Sequence, residues 1–320
     1  NGISFDRIKA VASLADGILL VPAAQVVKDG SYRITASGRL ALPLPEEFLS
    51  KNSASAKNDF TISLAEGRLS MFEGPGFVKK ADGALSARLD IKGPRKDPRV
   101  TGFIKIENAA AELKMYLAKI QNLNMLATFK DNVLNLEELS GRSGVGRFLL
   151  KGTARLENFA VADMDFSFKN TTPGEGIDLF IPELPIPTQF SRETGAKFIS
   201  SYSYGKPKFD ITIKGDPRSR ITLAGWARLD NTYFSYPPPP PSSNVTEDPL
   251  APTLRKLELD LTLSSGENTW YENELASVNI DGEIHLKGNY YAPYVSGSIE
   301  SKRGYISYLG TDFKIQIARL

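Results

Sequence analysis

Leu286-Lys-Gly-Asn-Tyr-Tyr-Ala-Pro-Tyr-Val-Ser-Gly-Ser-Ile299 repeats an earlier stretch, Ile91-Lys-Gly-Pro-Arg-Lys-Asp-Pro-Arg-Val-Thr-Gly-Phe-Ile104. Lys92, Gly93, Pro98, Val100, Gly102 and Ile104 match Lys287, Gly288, Pro293, Val295, Gly297 and Ile299 without a gap. Each copy reads as a hairpin. An alternating strand ends at Lys-Gly, four residues turn, proline opens the next strand where its missing N–H costs least, and V-x-G-x-I resumes the alternation. A looser copy runs from Ile213-Lys-Gly through Asp-Pro-Arg-Ser-Arg to Ile221-Thr-Leu-Ala-Gly225, and Leu150-Lys-Gly152 ends a strand in the same way. Recurrence without a strict period predicts hairpins laid side by side, not a solenoid with a fixed rung.

The same rhythm extends outward from both copies. Phe60-Thr-Ile-Ser-Leu64, Phe209-Asp-Ile-Thr-Ile213, Leu257-Glu-Leu-Asp-Leu-Thr-Leu263, Gly304-Tyr-Ile-Ser-Tyr-Leu309 and Phe313-Lys-Ile-Gln-Ile317 alternate apolar with polar residues. Such strands bury one face of a sheet and wet the other. Residues 6–16 read as strand or helix, and 105–117, with Ala109-Ala-Ala-Glu-Leu-Lys-Met-Tyr-Leu117, are the best local helix former while also fitting a strand. Pro45–Lys51 suits one helical turn, and Ser191–Ser201 a short amphipathic helix. Pro237–Pro241 with the polar residues behind it reads as an insertion loop. The domain reading is therefore a β segment over 1–236, a Pro-rich loop over 237–252, and the same sheet continued over 253–320.

Composition removes several functional classes. The 320 residues carry 39 basic and 37 acidic side chains, a net charge of +2. Read along the chain these form no basic stripe, which argues against a nucleic-acid partner. Cysteine is absent and His285 is the single histidine, on the polar side of its strand. With no cysteine there is no disulfide, thiolate nucleophile or Cys-ligated metal, and without a histidine partner His285 is expected to be a solvent-facing strand residue and neither catalytic nor a metal ligand. Gly141-Arg-Ser-Gly-Val-Gly146 lacks the Lys-Ser/Thr of a phosphate loop and the final glycine of a nucleophile elbow, so it reads as a turn. Asp163-Met-Asp165 lacks the further carboxylates of a calcium loop. The expectation is a non-enzyme without cofactor or metal. No run reaches the roughly 20 apolar residues that span a bilayer, and the start at Asn1 looks like neither a signal peptide nor an initiator, so any anchor is expected outside this stretch.

Several segments resemble the AsmA-like and TamB families, whose chains repeat the phrase strand, glycine, P-x-V-x-G-x-I. Asn122-Leu-Asn-Met-Leu-Ala-Thr-Phe-Lys-Asp-Asn-Val-Leu-Asn-Leu136 leading to Gly144–Gly152 is one such point, and Asn268-Thr-Trp-Tyr-Glu-Asn273 leading through Asp281-Gly282 to Lys287-Gly288 is a second. A third, Val295-Ser-Gly-Ser-Ile-Glu-Ser-Lys-Arg-Gly-Tyr-Ile306 followed by Phe313-Lys-Ile315, resembles the C-terminal TamB domain. The proline run and the stop at Leu320 depart from the pattern. The resemblance implies an all-β fold: an elongated, curled antiparallel sheet, a β-taco or open half-barrel with an apolar groove. It also implies a periplasmic protein anchored in the inner membrane by a segment not present here, with an outer-membrane β-barrel protein as partner and phospholipid acyl chains as cargo. Ile91, Val100, Ile104, Phe209, Ile211, Ile213, Leu259, Leu261, Ile284, Leu286, Val295, Ile299, Phe313 and Ile315 are the expected groove residues, unless alternation merely fills a closed core. On the conduit reading Leu261→Arg should lose bound lipid without unfolding the chain. A scaffold for outer-membrane protein assembly, acting by edge-strand pairing, is the alternative. A glycan-binding surface using Tyr290, Tyr291, Tyr294, Tyr305 and Tyr308 is a third.

Overall fold

The structure is a computed structural model that describes residues 5–42, 56–73, 78–95, 97–113, 119–182, 202–235, 255–273, 275–290 and 292–320. Alternation becomes strands nearly throughout. The first ten are β1 (Arg7–Ala15), β2 (Ile18–Lys28), β3 (Tyr32–Ala41), β4 (Lys57–Arg68), β5 (Val78–Pro94), β6 (Arg99–Leu113), β7 (Lys119–Lys130), β8 (Val133–Ser143), β9 (Gly146–Glu157) and β10 (Ala160–Asn170). There follow β11 (Leu179–Pro182), β12 (Tyr202–Asp216), β13 (Arg220–Ser235), β14 (Leu257–Ser265), β15 (Trp270–Glu272), β16 (Ala276–Asn279), β17 (Asp281–Asn289), β18 (Tyr294–Ser301), β19 (Gly304–Tyr308), β20 (Thr311–Lys314) and β21 (Ala318–Arg319). The described residues contain no α-helix, only a 3-10 turn at Leu69–Phe72. Among the described residues hydrogen bonds join the strands into one antiparallel-rich sheet.

Both ambiguous stretches are strands where they are described. Arg7–Ala15 pairs β2 from Arg7↔Val27 to Ala15↔Ile18. Residues 105–113 belong to β6, held by β5 on one side and β7 on the other. Two ladders of backbone hydrogen bonds outweigh the few tenths of a kcal/mol per residue by which alanine favours helix. Asn108, at φ 46, accommodates the alanines by a bulge. Pro45–Lys51, Ser191–Ser201 and the proline run lie outside the described residues.

Contacts divide the chain into two units, Asn1–Leu113 with Lys119–Gly141 and Leu149–Phe166, and Lys114–Ala118 with Arg142–Phe148 and Ser167–Leu320. In the first, β1 to β7 pair antiparallel in chain order. Its tight turns Asp16-Gly17 and Asp131-Asn132 have positive φ at both residues, as a two-residue hairpin matching strand twist requires. Asparagines staple strand ends. Asn132 accepts the Val100 N–H through Oδ1 at 2.8 Å and donates Nδ2 to the Pro98 carbonyl at 2.7 Å. Asn58 accepts the Ala41 N–H at 2.7 Å.

Arg95, in the β5–β6 turn, donates Nη2 to the carbonyls of Asp16 and Gly17 at 3.3 and 3.2 Å. In a flat sheet those turns would stand at least three strand spacings apart, about 14 Å at ~4.8 Å each. An arginine reaches only roughly 7 Å from its Cα on standard bond lengths. This end of the unit is therefore curled, and Arg95 is buried within it.

In the second unit β12 and β13 form the hairpin expected from the third sequence copy, closing at Asp216↔Arg220. The next joint differs from the uniformly antiparallel expectation: β13 pairs β14 and β15 in parallel. The connection from Ser235 to Leu257, which contains the proline run, explains it. Returning from Ser235 to the level of Ile221 covers about 46 Å at ~3.3 Å per residue, a crossover of the length that parallel pairing demands. Thereafter β14–β17, β17–β18, β15–β16, β16–β19, β19–β20 and β18–β21 are antiparallel.

Two glycines of the repeated phrase account for its spacing. A Cβ on Gly102 (φ +135) would stand 1.9 Å from the Arg88 carbonyl oxygen, and one on Gly297 (φ +126) 2.2 Å from that of Glu283. Neither φ suits an L side chain, and the neighbouring strand already fills the space.

Candidate functional site

Directly paired residues share one face of a ladder, so register alone sorts the side chains. In the first unit Ile8, Val26, Ile34, Leu64, Ala87, Ile104 and Ala127 form one row across seven strands. A parallel row on the same face is Val21, Gly38, Phe60, Ile91 and Val100. The opposite face reads Lys9, Gln25, Thr35, Ser63, Arg88, Phe103 and Thr128. In these two rows one face is apolar throughout, and Asn58 of β4 joins that face as a buried polar residue at the curled end. At the curled end Val21, Phe60 and Val100 are buried, whereas Ile8 and Ile62 on the same face are exposed.

The second unit repeats the separation. Ile211, Gly225, Leu261, Leu286 and Val295 form a row across five strands. Flanking it are Ile213, Leu223, Leu259 and Gly288 on one side, and Phe209, Ala227, Leu263, Ile284 and Gly297 on the other. Ile299 faces Gly282 in the next row. Phe313 opposes Ile306, and the Ile315 N–H bonds the Gly304 carbonyl at 2.9 Å. These two reach the same face as Phe209 because β12 keeps its alternation to Ser203, which pairs Phe234, and the row continues through Tyr271 and Val278 to Gly304. A bulge in β13 at 230–232 takes up its one extra residue.

All fourteen residues expected to line a groove therefore lie on the apolar face of their own unit. Their exposure is uneven. Phe209, Leu259 and Leu261 are buried, while Val295 and Phe313 are 54% and 56% exposed. The face is packed at β12–β14, where Phe209 meets Phe168 at 4.6 Å between ring centroids and Phe168 meets Phe148 at 5.9 Å. It opens toward β18–β20, with Ile306 and Ile317 also exposed. Leu223, Leu263, Val21 and Phe60 belong to the face as well. The alternation that singled out the fourteen carries them equally.

Polar groups cluster at the bulge and on the other face. Asp230, buried, holds Lys208 Nζ at 2.7 Å and Arg228 Nε at 3.3 Å, and accepts the Glu267 N–H at 3.1 Å. Burial pushes its carboxyl up, but Lys208, the Glu267 amide and Arg228 together outweigh it and hold the group below the usual carboxylate range. His285 lies on the polar face, as its strand parity predicts. Its Nδ1 hydrogen-bonds with Thr262 Oγ1 at 3.1 Å and its Nε2 stands 3.0 Å from Asp260 Oδ1. The ring is fixed by strand neighbours in the solvent-facing row. Among the described residues no group of three or more His, Cys, Asp and Glu could hold a metal ion, and no helix is long and apolar enough to cross a membrane. Of the tyrosines considered for glycan contact, Tyr290, Tyr294, Tyr305 and Tyr308 are exposed, and Tyr291 lies outside the described residues.

Residues 189–320 match the family model of the TamB C-terminal domain. That stretch is TamB-like. The match takes in β12 to β21, hence every row just described in the second unit. No curated protein and no solved structure matches the chain. The TamB family is periplasmic in bacteria, is linked to outer-membrane β-barrel assembly or lipid transport, and is not known for enzymatic activity.

Proposed function

We propose that this TamB-like chain is a non-enzymatic conduit whose apolar sheet face carries phospholipid acyl chains between the inner and outer membranes. The observation that carries the reading is the uninterrupted apolar row on one face, exposed toward its C-terminal strands. Exposed apolar side chains at β18–β20, Val295, Ile306 and Phe313 among them, call for a covering group. Energetics favour a lipid as that group. Two acyl chains of about 14 methylenes each cost roughly 22 kcal/mol to bring through water at ~0.8 kcal/mol per CH₂. An apolar strip removes most of that barrier while headgroups stay wet, so no polar pocket is required. On this reading the fourteen residues named above are the lining.

The test uses positions where exposure keeps folding and lipid contact separate. Leu261, the position sequence alone recommends, is buried, and an arginine there would disturb packing as well. Val295→Arg and Phe313→Arg are the cleaner pair, because both side chains are more than half exposed. Organic extracts of the purified chain, read by mass spectrometry, should contain phospholipid in the wild type and at least fivefold less in the double variant, with unchanged circular dichroism. Extracts free of lipid in the wild type would leave the assembly scaffold as the better reading. Its support is β1, which pairs β2 and is exposed along its whole length.

A further inference from the structure

The arginine that closes the curled end of the first unit is a buried charge without a counter-charge. Arg95 is 6% exposed, and it bridges the β5–β6 and β1–β2 turns by donating Nη2 to the Asp16 and Gly17 carbonyls. Its Nε and Nη1 are buried and have no hydrogen-bond partner. The single N–H on Nε and the two on Nη1 therefore meet no acceptor. Among the described residues no carboxylate pairs with it. Asp97 of the same turn stands 4.0 Å from Arg99, and Asp16 contributes only its backbone carbonyl. A full positive charge held away from water against neutral carbonyls is costly until an anion answers it. Asn58, 3% exposed, is tied to the same turn: its Nδ2 donates to the Pro94 carbonyl at a long 3.4 Å, and the Arg95 N–H bonds the Ala56 carbonyl at 3.0 Å. The buried side chains of the apolar face at this end are Val21, Phe60 and Val100. A cation short of acceptors thus sits where an apolar strip ends.

We propose that the curled end binds the phosphate of an anionic amphiphile, with Arg95 Nε and Nη1 as its donors and the apolar face of β2–β6 as the bed for its tails. Charge selects an anion, and a phosphate offers several oxygens to a guanidinium that has more than one N–H to give. Hydrocarbon selects an amphiphile over a free ion. An ion alone would shed water beside Val21, Phe60 and Val100 and gain nothing from them, whereas acyl chains are stabilised by that contact. The placing of the tails rests on the conduit reading; the phosphate site rests on Arg95. Along the strip a headgroup stays in water and needs no pocket. At the curled end one is provided, which makes the cargo class a phosphate-bearing lipid and not a neutral one.

Amide hydrogen exchange at Leu42, whose N–H bonds the same Gly17 carbonyl at 2.9 Å, reads occupancy of this end in the delipidated full chain. A ligand held only by the closed end slows that exchange about tenfold at about nine times its Kd. Dihexanoylphosphatidic acid at about 1 mM should produce that slowing, whereas dihexanoylglycerol and inorganic phosphate at the same concentration should each stay below about twofold. Arg95→Gln should abolish the response to the phosphatidic acid, and Val295→Arg/Phe313→Arg in the second unit should keep it. Because Arg95→Gln also loosens the turn, the three ligands compared on the wild type carry the decision. No response to the phosphatidic acid, an equal response to dihexanoylglycerol, or a response that survives Arg95→Gln overturns the phosphate site. An equal response to inorganic phosphate overturns the amphiphile and assigns the end to the free ion. Lipid content is read separately by extraction: lipid-free extracts with this response intact would defeat the conduit alone, and lipid-bearing extracts without it would defeat this site alone.

Discussion

Alanine at Gly297 and at Gly288 separates two reasons for which the repeated hairpin uses glycine. Both residues have positive φ, +126 and +99, and each alanine incurs the cost of an L residue held there, about 1–2 kcal/mol. At Gly288 nothing lies within 4 Å of the added Cβ, so that cost stands alone. At Gly297 the Cβ also meets the Glu283 oxygen at 2.2 Å and the Ile284 Cα at 2.9 Å, so β17 and β18 must part by about 1 Å. Two backbone hydrogen bonds around Ile284↔Gly297 are then lost at about 1 kcal/mol each. The totals are about 1–2 kcal/mol for Gly288→Ala and about 3–4 kcal/mol for Gly297→Ala. Native-state hydrogen exchange at the amides of 283–286 reads this directly, since local opening is reported residue by residue. Protection should fall about 30-fold more in Gly297→Ala than in Gly288→Ala, at about 1.4 kcal/mol per tenfold. Equal losses, or the larger loss at Gly288, would refute the close-approach argument and leave only the φ requirement.

Two further outcomes follow from polar groups in the two units. Asp230 has a folded-state pKa below its unfolded value, so its stabilisation is present above the unfolded pKa of about 3.9 and is lost as pH falls through the lower folded value. Asp230→Asn should cost about 1–3 kcal/mol at neutral pH and flatten the acid limb of stability below pH ~4. Urea unfolding followed by the fluorescence of Trp226 and Trp270, both in the second unit, measures it, and an unchanged acid limb would rule out this role. Arg95→Gln removes both contacts to the Asp16-Gly17 turn and should destabilise the curled end by about 1.5–3 kcal/mol. The readout is faster exchange of the Leu42 amide, which bonds the Gly17 carbonyl at 2.9 Å. Unaltered exchange there would mean that the curl does not depend on this arginine.

Much of the sheet could be read from the chain because a strand's period of two is written into every apolar–polar alternation. Residues 257–263 and 281–288 needed nothing else to be assigned, and the two copies of the hairpin fixed Lys92↔Arg99 and Lys287↔Tyr294 as their closing pairs. Where local preference and ladder disagreed, as at Ala109 and Ala111, no local reading could resolve the question, because the deciding hydrogen bonds come from β5 and β7. The turns Asn158-Phe159 and Leu309-Gly310 were likewise hidden: Phe159 and Leu309 take φ of +66 and +49, which their side chains do not advertise.

What the sequence determined by itself was the composition of each face, since parity along a strand is a local property. Which strands became neighbours was decided only in three dimensions. The long connection after Ser235 returned the chain parallel to β13, Arg95 drew two distant turns together, and register set Arg39, Asp59, Lys92 and Arg99 in one row. Each of these depends on contacts between residues far apart in the chain, and alternation carries no information about the partner a strand will meet.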